Sequence, residues 1–553
     1  MADEQRDLLK SYVTNLDDQV FAIQNLQGIV GAVMARYSRA ETGLRETLLR
    51  EFVKEDKLNA KKASSLIDRV LIAYGDDSVG ELEGSHLSFE SISMLATKEI
   101  EHRRIGGSPI EQSTRYVRYD FRGLDGTFPY HVPVELEGHH KSHYVAQMDA
   151  LFEAYGSMWG PLVAHLERLK PLHEAIYDIR GHGEEPLSKL DDDRDIKNFQ
   201  KTYRMDIKTK ACDVLRAFLP LATRANVGLF GNGRFFQHLI SKMLSSNLTE
   251  ARALGAAAFE ELSKVIPHYV KRARRLDYLI DCREKVASIA AQLNLKQGKS
   301  FEYCLLVEPD YQFAFQQGIQ SPETLRHAIN REMDLSMTAS MIYPYVRCGF
   351  DRLRNALAEK GGDFIAKIWQ AYYGERAARR DRPERGIEYG YPHNIEMVTE
   401  WAVYKDLMRH RMGTIQYQDL IPDLGFQWPE EIEDAGLKEE AEKAVSIAES
   451  LFADLDAHVP RCRSYAYLQG HRLRWMVSMN DRALMHMLEL RTTVQGHPNY
   501  RKASQAMHRA LASRFPERAE RMLFVNHDPS YWSRGASEAR QRVKESQLDA
   551  HGG

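Results

Sequence analysis

The sequence predicts an α+β protein made of two diverged copies of one helix-rich domain with small sheets. Three observations carry this: helical periodicity along most of the chain, scarce strand signals, and a weak internal repeat. Apolar positions recur at three- and four-residue steps over 18–54, 143–177, 205–222, 233–246, 249–293, 324–340, 347–374, 395–413, 435–457, 475–494 and 500–513. The clearest strand is FEYCLLVEP at 301–309, while 85–100 and 114–122 show no decisive period. The polar run before that strand makes 295–300 the expected boundary between halves. Two stretches read as surface excursions: 131–143, with four histidines, and 182–196, with GHGEEP and DDDRD. From residue 533 onward the chain is polar and is expected to fray.

The repeat places NGRFFQHLISKML, from Asn232, against NDRALMHMLELR, from Asn480. Both carry Asn, Arg and His at offsets 0, +2 and +6. Upstream, His102-Arg103-Arg104 has a counterpart in Arg409-His410-Arg411. Arg104 lies 128 residues before Asn232, and Arg411 lies 69 before Asn480, so the first copy holds 59 additional residues. The expected division is 1–298, with an insertion at about 125–200, then 299–532, then a tail at 533–553.

Composition narrows the function. Lys+Arg 75 against Asp+Glu 78 gives a net charge of −3, which removes the whole-chain electrostatic case for nucleic acid or an anionic membrane. No apolar run reaches the eighteen or so residues of a membrane span, and the start, MADEQRDLLKSY, is unlike a signal peptide. A soluble, cytoplasmic protein is expected. Cys212, Cys282, Cys304, Cys348 and Cys462 have neither zinc-clip nor disulfide-framework spacing. Neither GKS at 298–300 nor GLFGNG at 228–233 meets a nucleotide-loop pattern, and no GxSxG or HExxH is present, so hydrolysis is unsupported. His131, His139, His140 and His143 have no regularly spaced carboxylate or cysteine and read as a surface cluster, with no metal expected.

Three segments hold chemistry-bearing residues. On a helix from Asn480, Asn480 and Arg491 fall within about 20° of each other, and Arg482 and His486 share another side. Apolar residues fill much of the rest, so burial is expected, with either an internal salt-bridge network or a pocket for an anion. Arg409-His410-Arg411 reads as a solvated helix end or a contact to nucleic-acid phosphates. SPIEQSTRYVRYD packs Glu111, Ser113 and Arg115 into one stretch, either a polar loop or a binder of a sugar-phosphate or uracil edge.

Together these motifs resemble the flavin-dependent thymidylate synthases, the ThyX family. Its signature is RHR, seven residues, then Ser in an NExSxRY-like stretch, followed later by NxRxLxxFxxLR. Here EQSTRY (111–116) stands in the first half, with Ile110 in place of Asn and eight residues between Arg104 and Ser113. RHR (409–411) and the better Asn-Arg-Leu-Arg helix stand in the second, whereas the first has Lys242-Met243 where Leu-Arg belongs. LRAFLPLAT (215–223) is similar to the family's Arg-x-x-Leu-Pro element, decayed to RCRSYAYLQG (461–470), with Arg463 a loose counterpart.

The resemblance implies small mixed or antiparallel sheets, FAD as cofactor, NADPH as reductant and methylenetetrahydrofolate as co-substrate in methylating dUMP to dTMP. It implies Glu111, Ser113, Arg115 and Arg216 as substrate ligands and Arg491 as the catalytic arginine at the uracil edge. Arg409, His410, Arg411, Asn480, Arg482 and His486 become the flavin set, with Asn232, Arg234 and His238 as its partial counterpart. A homodimer would imitate the family tetramer. Alkylation or reduction of another nucleotide, or a non-catalytic flavin- or nucleotide-binding module, are the alternatives.

Overall fold

A computed structural model describes residues 3–26, 30–38, 40–54, 57–58, 77–298, 301–307, 321–377, 381–390 and 393–550. Residues 299–300 of the expected boundary and 308–309 of the expected strand lie outside them.

The elements that position the site are, in the first half, β1 (Gly84–Ser93), α1 (Met94–Glu101), β2 (Gly107–Glu111), α2 (Gly138–Leu169), α3 (Asp193–Leu215), β3 (Arg224–Asn232), α4 (Gly233–Leu244) and α5 (Thr249–Val265). In the second they are β4 (Cys304–Val307), β5 (His393–Glu400), α6 (Trp401–Leu407), β6 (Thr414–Tyr417), α7 (Lys438–His458), β7 (Arg472–Met479), α8 (Asp481–Arg491), α9 (Pro498–Arg514) and α10 (Gly535–Ala550). Among the described residues no helix is long and apolar enough to cross a membrane.

The chain forms two compact units from interleaved segments. One holds Met1–Ile92, Ala96–Glu111 and Ala225–Asp277, the other Ser93–Leu95, Gln112–Arg224 and Tyr278–Gly553. Compactness therefore cuts the chain differently from the sequence repeat, since 112–224 of the first half belongs with the second unit.

The first unit contains a three-stranded sheet in the order β1-β3-β2, with Gly107 opposite Gly231 and Glu111 opposite Val227. Phe236, Leu239 and Ile240 of α4 pack with Ile92, Leu262 and Ile266 in its core. The second unit contains a four-stranded antiparallel sheet in the order β6-β7-β5-β4, with Arg472 opposite Glu400 and Thr414 opposite Ser478. The plan repeats. A strand runs into a helix, a second strand follows, and a later strand inserts between the two and leads into a capped helix. Asn232 and Asn480 are those caps, accepting from Phe235 N (2.8 Å) and Ala483 N (3.0 Å).

Glycines mark the repeat as well. A Cβ on Gly107 would lie 2.4 Å from the Phe235 ring, and one on Gly413 would lie 2.6 Å from Met479 Cγ and Cε. Both strands therefore start where only glycine lets them pass their neighbour.

Within the second unit, equivalent segments of the two copies pair around a local two-fold. Pro220 and Leu468, each twelve residues before its capping asparagine, form an antiparallel bridge. Leu221 N donates to Tyr467 O (2.9 Å) and, symmetrically, Gln469 N to Leu219 O (3.0 Å). Ala222 N donates to Tyr465 O (3.0 Å), and Gly470 N to Ala217 O (2.8 Å). Each bond maps onto its partner when Asn232 is superposed on Asn480, the self-complementary pattern of an isologous contact.

Several element assignments differ from the periodicity. Residues 395–413 begin in β5 and 475–494 in β7, both expected to be helical. β5 is buried along its whole length, so its polar residues break the alternation. They are satisfied internally: Glu396 accepts from Tyr343 Oη (2.8 Å), Phe350 N (3.0 Å) and Arg474 (3.1 Å), while Asn394 accepts from Ser478 (2.6 Å). The long helix expected at 249–293 breaks at Pro267 and again before Asp277. His139, His140 and His143 stand on α2 rather than in a loop excursion. The tail is helical as α10, with Gly535 N donating to Asp206 (2.9 Å) and Ala539 fully buried.

Candidate functional site

The site is assembled in the second unit, where side chains from both halves of the sequence meet. Arg115, in the turn after β2, forms a two-pronged pair with Asp213 of α3 through Nε and Nη2, both at 2.7 Å. Its Nη1 donates to Gln495 O (3.3 Å) and its Nη2 to Ser533 Oγ (2.8 Å). Arg216, at the end of α3, is 2% exposed and reaches Asp406, in the last turn of α6, at 3.2 Å. Its Nη2 is buried without a hydrogen-bond partner among the described residues.

Charge ties these groups to the second copy's motifs. Burial pushes the Asp406 carboxyl up, but Arg216, Arg409, Lys405 and Arg491 outweigh it and hold it well below the usual range. Burial of Asp213 is likewise overcome, chiefly by Arg115, so that carboxyl also stays low. Four arginines thus gather around Asp213 and Asp406, two from each half of the sequence, with buried Glu400 also near Arg216, and among the described residues the excess charge is positive. Such a cluster is stable when an anion completes it.

Two histidines in the cluster are held neutral. Arg491 Nε donates to His410 Nε2 at 2.7 Å, which leaves the His410 proton on Nδ1. Burial, with Arg491 and His486 nearby, lowers His410 to about 3. His497 donates from Nε2 to Asp213 O (3.2 Å) and accepts from Asn499 N at Nδ1 (3.1 Å), so its neutral form uses both nitrogens. Burial and Arg216 bring it to about 3 as well. Its 3.8 Å approach to Asp213 Oδ1 is therefore not an ion pair.

The helix α8 differs from the sequence expectation. It is buried on one side only: Leu484, Met487 and Leu488 pack inward, while Asn480, Arg482, Met485, His486 and Leu490 are exposed. His486 lies 5.8 Å from the His410 ring, and Arg491 sits 5.5 Å over Tyr500. Arg411 and Met412 are exposed beside them. This face offers cations and apolar side chains together, a donor set that fits a flat aromatic cofactor carrying phosphates.

The remaining expected residues lie in the first unit or are engaged elsewhere. Glu111 is buried, accepting from Lys98 Nζ (3.0 Å) and Thr97 Oγ1 (3.1 Å), with Glu101 also on Lys98. Asn232 caps α4, Arg234 pairs with Glu81, and His238 is exposed on α4. Ser113 Oγ accepts from Arg115 N at 3.2 Å, closing the local turn. Arg463 is held by Asp419 and Asp456. Sequence reasoning missed Asp213, Asp406 and His497, whose only signal is a lone polar residue on an otherwise apolar helix face or loop.

The irregular spacing before Ser113 has a local cause. Met94 N bonds Thr223 O as Trp401 N bonds His471 O, which makes Met94 and Trp401 equivalent. Sheet register makes Gly107 equivalent to Gly413. The step is 13 residues in the first copy and 12 in the second, so one residue is inserted in the helix-to-strand connection that carries the basic triplet.

The family described as thymidylate synthase complementing protein matches residues 26–268 and 393–517. A UPF0159 protein of Chlamydia muridarum (strain MoPn / Nigg) is 30% identical over 562 residues, covering 98% of both chains. Another from Chlamydia pneumoniae is 30% identical over 532 residues, 92% of both. One from Thermoplasma acidophilum is 28% identical over 530 residues, 93% of this chain and 98% of that one. With both sheet-bearing copies matched and relatives aligned nearly end to end, this chain belongs to the thymidylate synthase complementing protein family, the flavin-dependent ThyX family.

Proposed function

We propose that the chain is an FAD-dependent thymidylate synthase methylating dUMP to dTMP, with one working composite site per chain. The observation that carries this reading is the meeting of Arg115 and Arg216 from one half with Arg409 and Arg491 from the other around Asp213 and Asp406.

FAD, when bound, supplies the redox chemistry, with NADPH as its reductant and methylenetetrahydrofolate as the one-carbon donor. Arg409, His410, Arg411, Asn480, Arg482 and His486 would hold it on the exposed face of α8. Asn232, Arg234 and His238 are their counterparts in the first copy, where Arg234 is already neutralised by Glu81. The unpartnered Nη2 of Arg216 is a ready donor to the nucleotide phosphate. Ser113 adds a hydroxyl at the same turn. Arg115, saturated by Asp213, Gln495 and Ser533, acts as a positioning residue that fixes this turn against α3. Arg491 spends its Nε on neutral His410, which orients the guanidinium so that its Nη groups stabilise negative charge developing on the uracil ring. Glu111, locked onto Lys98, secures the strand leading to that turn.

Ile110, exposed where the family carries Asn, favours a second reading in which the methyl or hydride acceptor is a different nucleotide. The deciding experiment is tritium release from 5-tritiated dUMP with folate and NADPH, using Arg491→Ala as control. Release by the parent and loss in the variant supports the proposal. Flavin absorbance without release points to another nucleotide or to a binding module. Because each copy lacks what the other keeps, FAD titration is expected to saturate at one tight site per chain, and a homodimer would supply two. Two equal tight sites per chain would overturn the composite arrangement.

A further inference from the structure

A cluster outside this site brings together what the sequence leaves apart. The histidines of the 131–143 stretch have no regularly spaced carboxylate in sequence, yet α2 places His140 beside Asp454 and His458 at the end of α7. Each of the three offers a ligand atom within 4.8 Å of the others. His140 and His458 face each other with ring centroids 5.1 Å apart. His139 and His143 stack one turn apart on the same helix, at 6.1 Å, with His139 also 6.0 Å from His140.

We propose that His140, Asp454 and His458 form a divalent-metal site of the zinc class that clips α2 to α7. Asp454 and His458 are one helical turn apart and so share a face. His458 Nδ1 donates to Asp454 O at 2.9 Å, which leaves Nε2 as the lone-pair nitrogen, the form a metal takes, with a backbone carbonyl fixing the ring. Two imidazoles and a carboxylate suit Zn²⁺, with water as fourth ligand. Ligand atoms around tetrahedral zinc stand about 3.4 Å apart, so closure asks for side-chain adjustment, and His458 is exposed enough to make it. The end of α7 favours a cation through its carbonyl dipoles, while the start of α2 opposes one. The carboxylate of Asp454 decides the balance. The clip would tie the helix inserted in the first copy to α7 of the second, leaving the arginine cluster untouched.

The test uses the full-length protein stripped with EDTA, then titrated with Zn²⁺ against a chromophoric chelator and with Co²⁺ followed by visible absorption. One equivalent per chain is expected, with a four-coordinate cobalt band and a raised melting temperature. Affinity should fall more than tenfold in His140→Ala and in Asp454→Asn, and stay level in His173→Ala, a remote surface histidine. Uptake unchanged by Asp454→Asn, or lost only in His139→Ala and His143→Ala, would overturn the three-ligand site. No uptake above that of His140→Ala would do the same. None of these readouts depends on flavin binding or on turnover.

Discussion

His410 and His497 make the second unit acid-sensitive, and the size of the effect follows from their burial. Both native values stand near 3, against about 6.5 in an unfolded chain. The unfolded chain therefore binds more protons below pH 6.5. Stability from these groups is complete above that value and is lost as pH falls toward 3. Linkage gives about 2 kcal/mol lost per histidine between pH 8 and pH 5, so about 4 kcal/mol for the pair. Asp213 and Asp406 do not enter this window, because their depressed values keep them ionised throughout it. His471 and His527 are also lowered by burial and add to the slope, so the informative quantity is a difference between variants. His410→Gln retains an acceptor for Arg491 Nε but cannot titrate. All six tryptophans (159, 369, 401, 428, 475 and 532) lie in the second unit, so urea melts followed by tryptophan fluorescence report on it alone. The variant is expected to lose about 2 kcal/mol less than the parent from pH 8 to pH 5. Equal slopes for parent and variant would refute the claim that His410 is buried neutral against Arg491.

Lys98→Met strands Glu101 and Glu111 without their buried cation and should cost about 3–5 kcal/mol, seen as a lowered melting temperature. Glu111→Gln leaves Lys98 with Glu101 and should cost less than half of that. Asp213→Asn removes the partner of a nearly buried Arg115 at similar cost, and the freed arginine should weaken dUMP discrimination, measured by equilibrium binding of dUMP against uridine. Asn480→Ala should cost about 1 kcal/mol through the lost cap of α8. Asn480→Asp keeps the cap, so a loss of flavin retention in that variant as well as in Asn480→Ala separates the role of the amide group from that of the cap.

The helical content and the duplication were legible because amphipathic periods and the Asn-Arg-His spacing are local. β5 and β7 were not, since strands buried on both faces with Glu396, Asn394 and Arg474 inside carry no alternation to read. The basic triplets and the Asn232 and Asn480 helices were visible, but not that both asparagines serve as caps. Burial of α8 was overcalled because a helix lined with Leu and Met reads as internal, whereas Met485 and Leu490 face outward. Asp213 and Asp406 stayed hidden for a different reason. A single carboxylate becomes meaningful only when its guanidinium arrives from about a hundred or more residues away, and no pattern within one helix announces that. His140 with Asp454 and His458 follows the same logic across a still longer separation.

Fusion of the two copies in one chain permits them to differ at equivalent positions. The register that equates Gly107 with Gly413 puts Ile421 where Arg115 stands, and counting from the capping asparagines puts Ser464 where Arg216 stands. Counting the other way, the place of Arg491 is taken in the first copy by Met243, which is buried in the core. A homo-oligomer of identical subunits cannot lose these arginines one-sidedly, because every two-fold contact repeats each loss in every site. Once both copies share a chain, the segments around Pro220 and Leu468 pair within the second unit in fixed proportion. The first copy's helix then has core packing where the second has an arginine, and the second copy's loop has Ile421 and Ser464 where the first has two arginines. Arg115 is held by Asp213 and Arg216 by Asp406, with Arg409 and Arg491 also acting on Asp406, so losing either carboxylate removes the charge that holds its arginine in place.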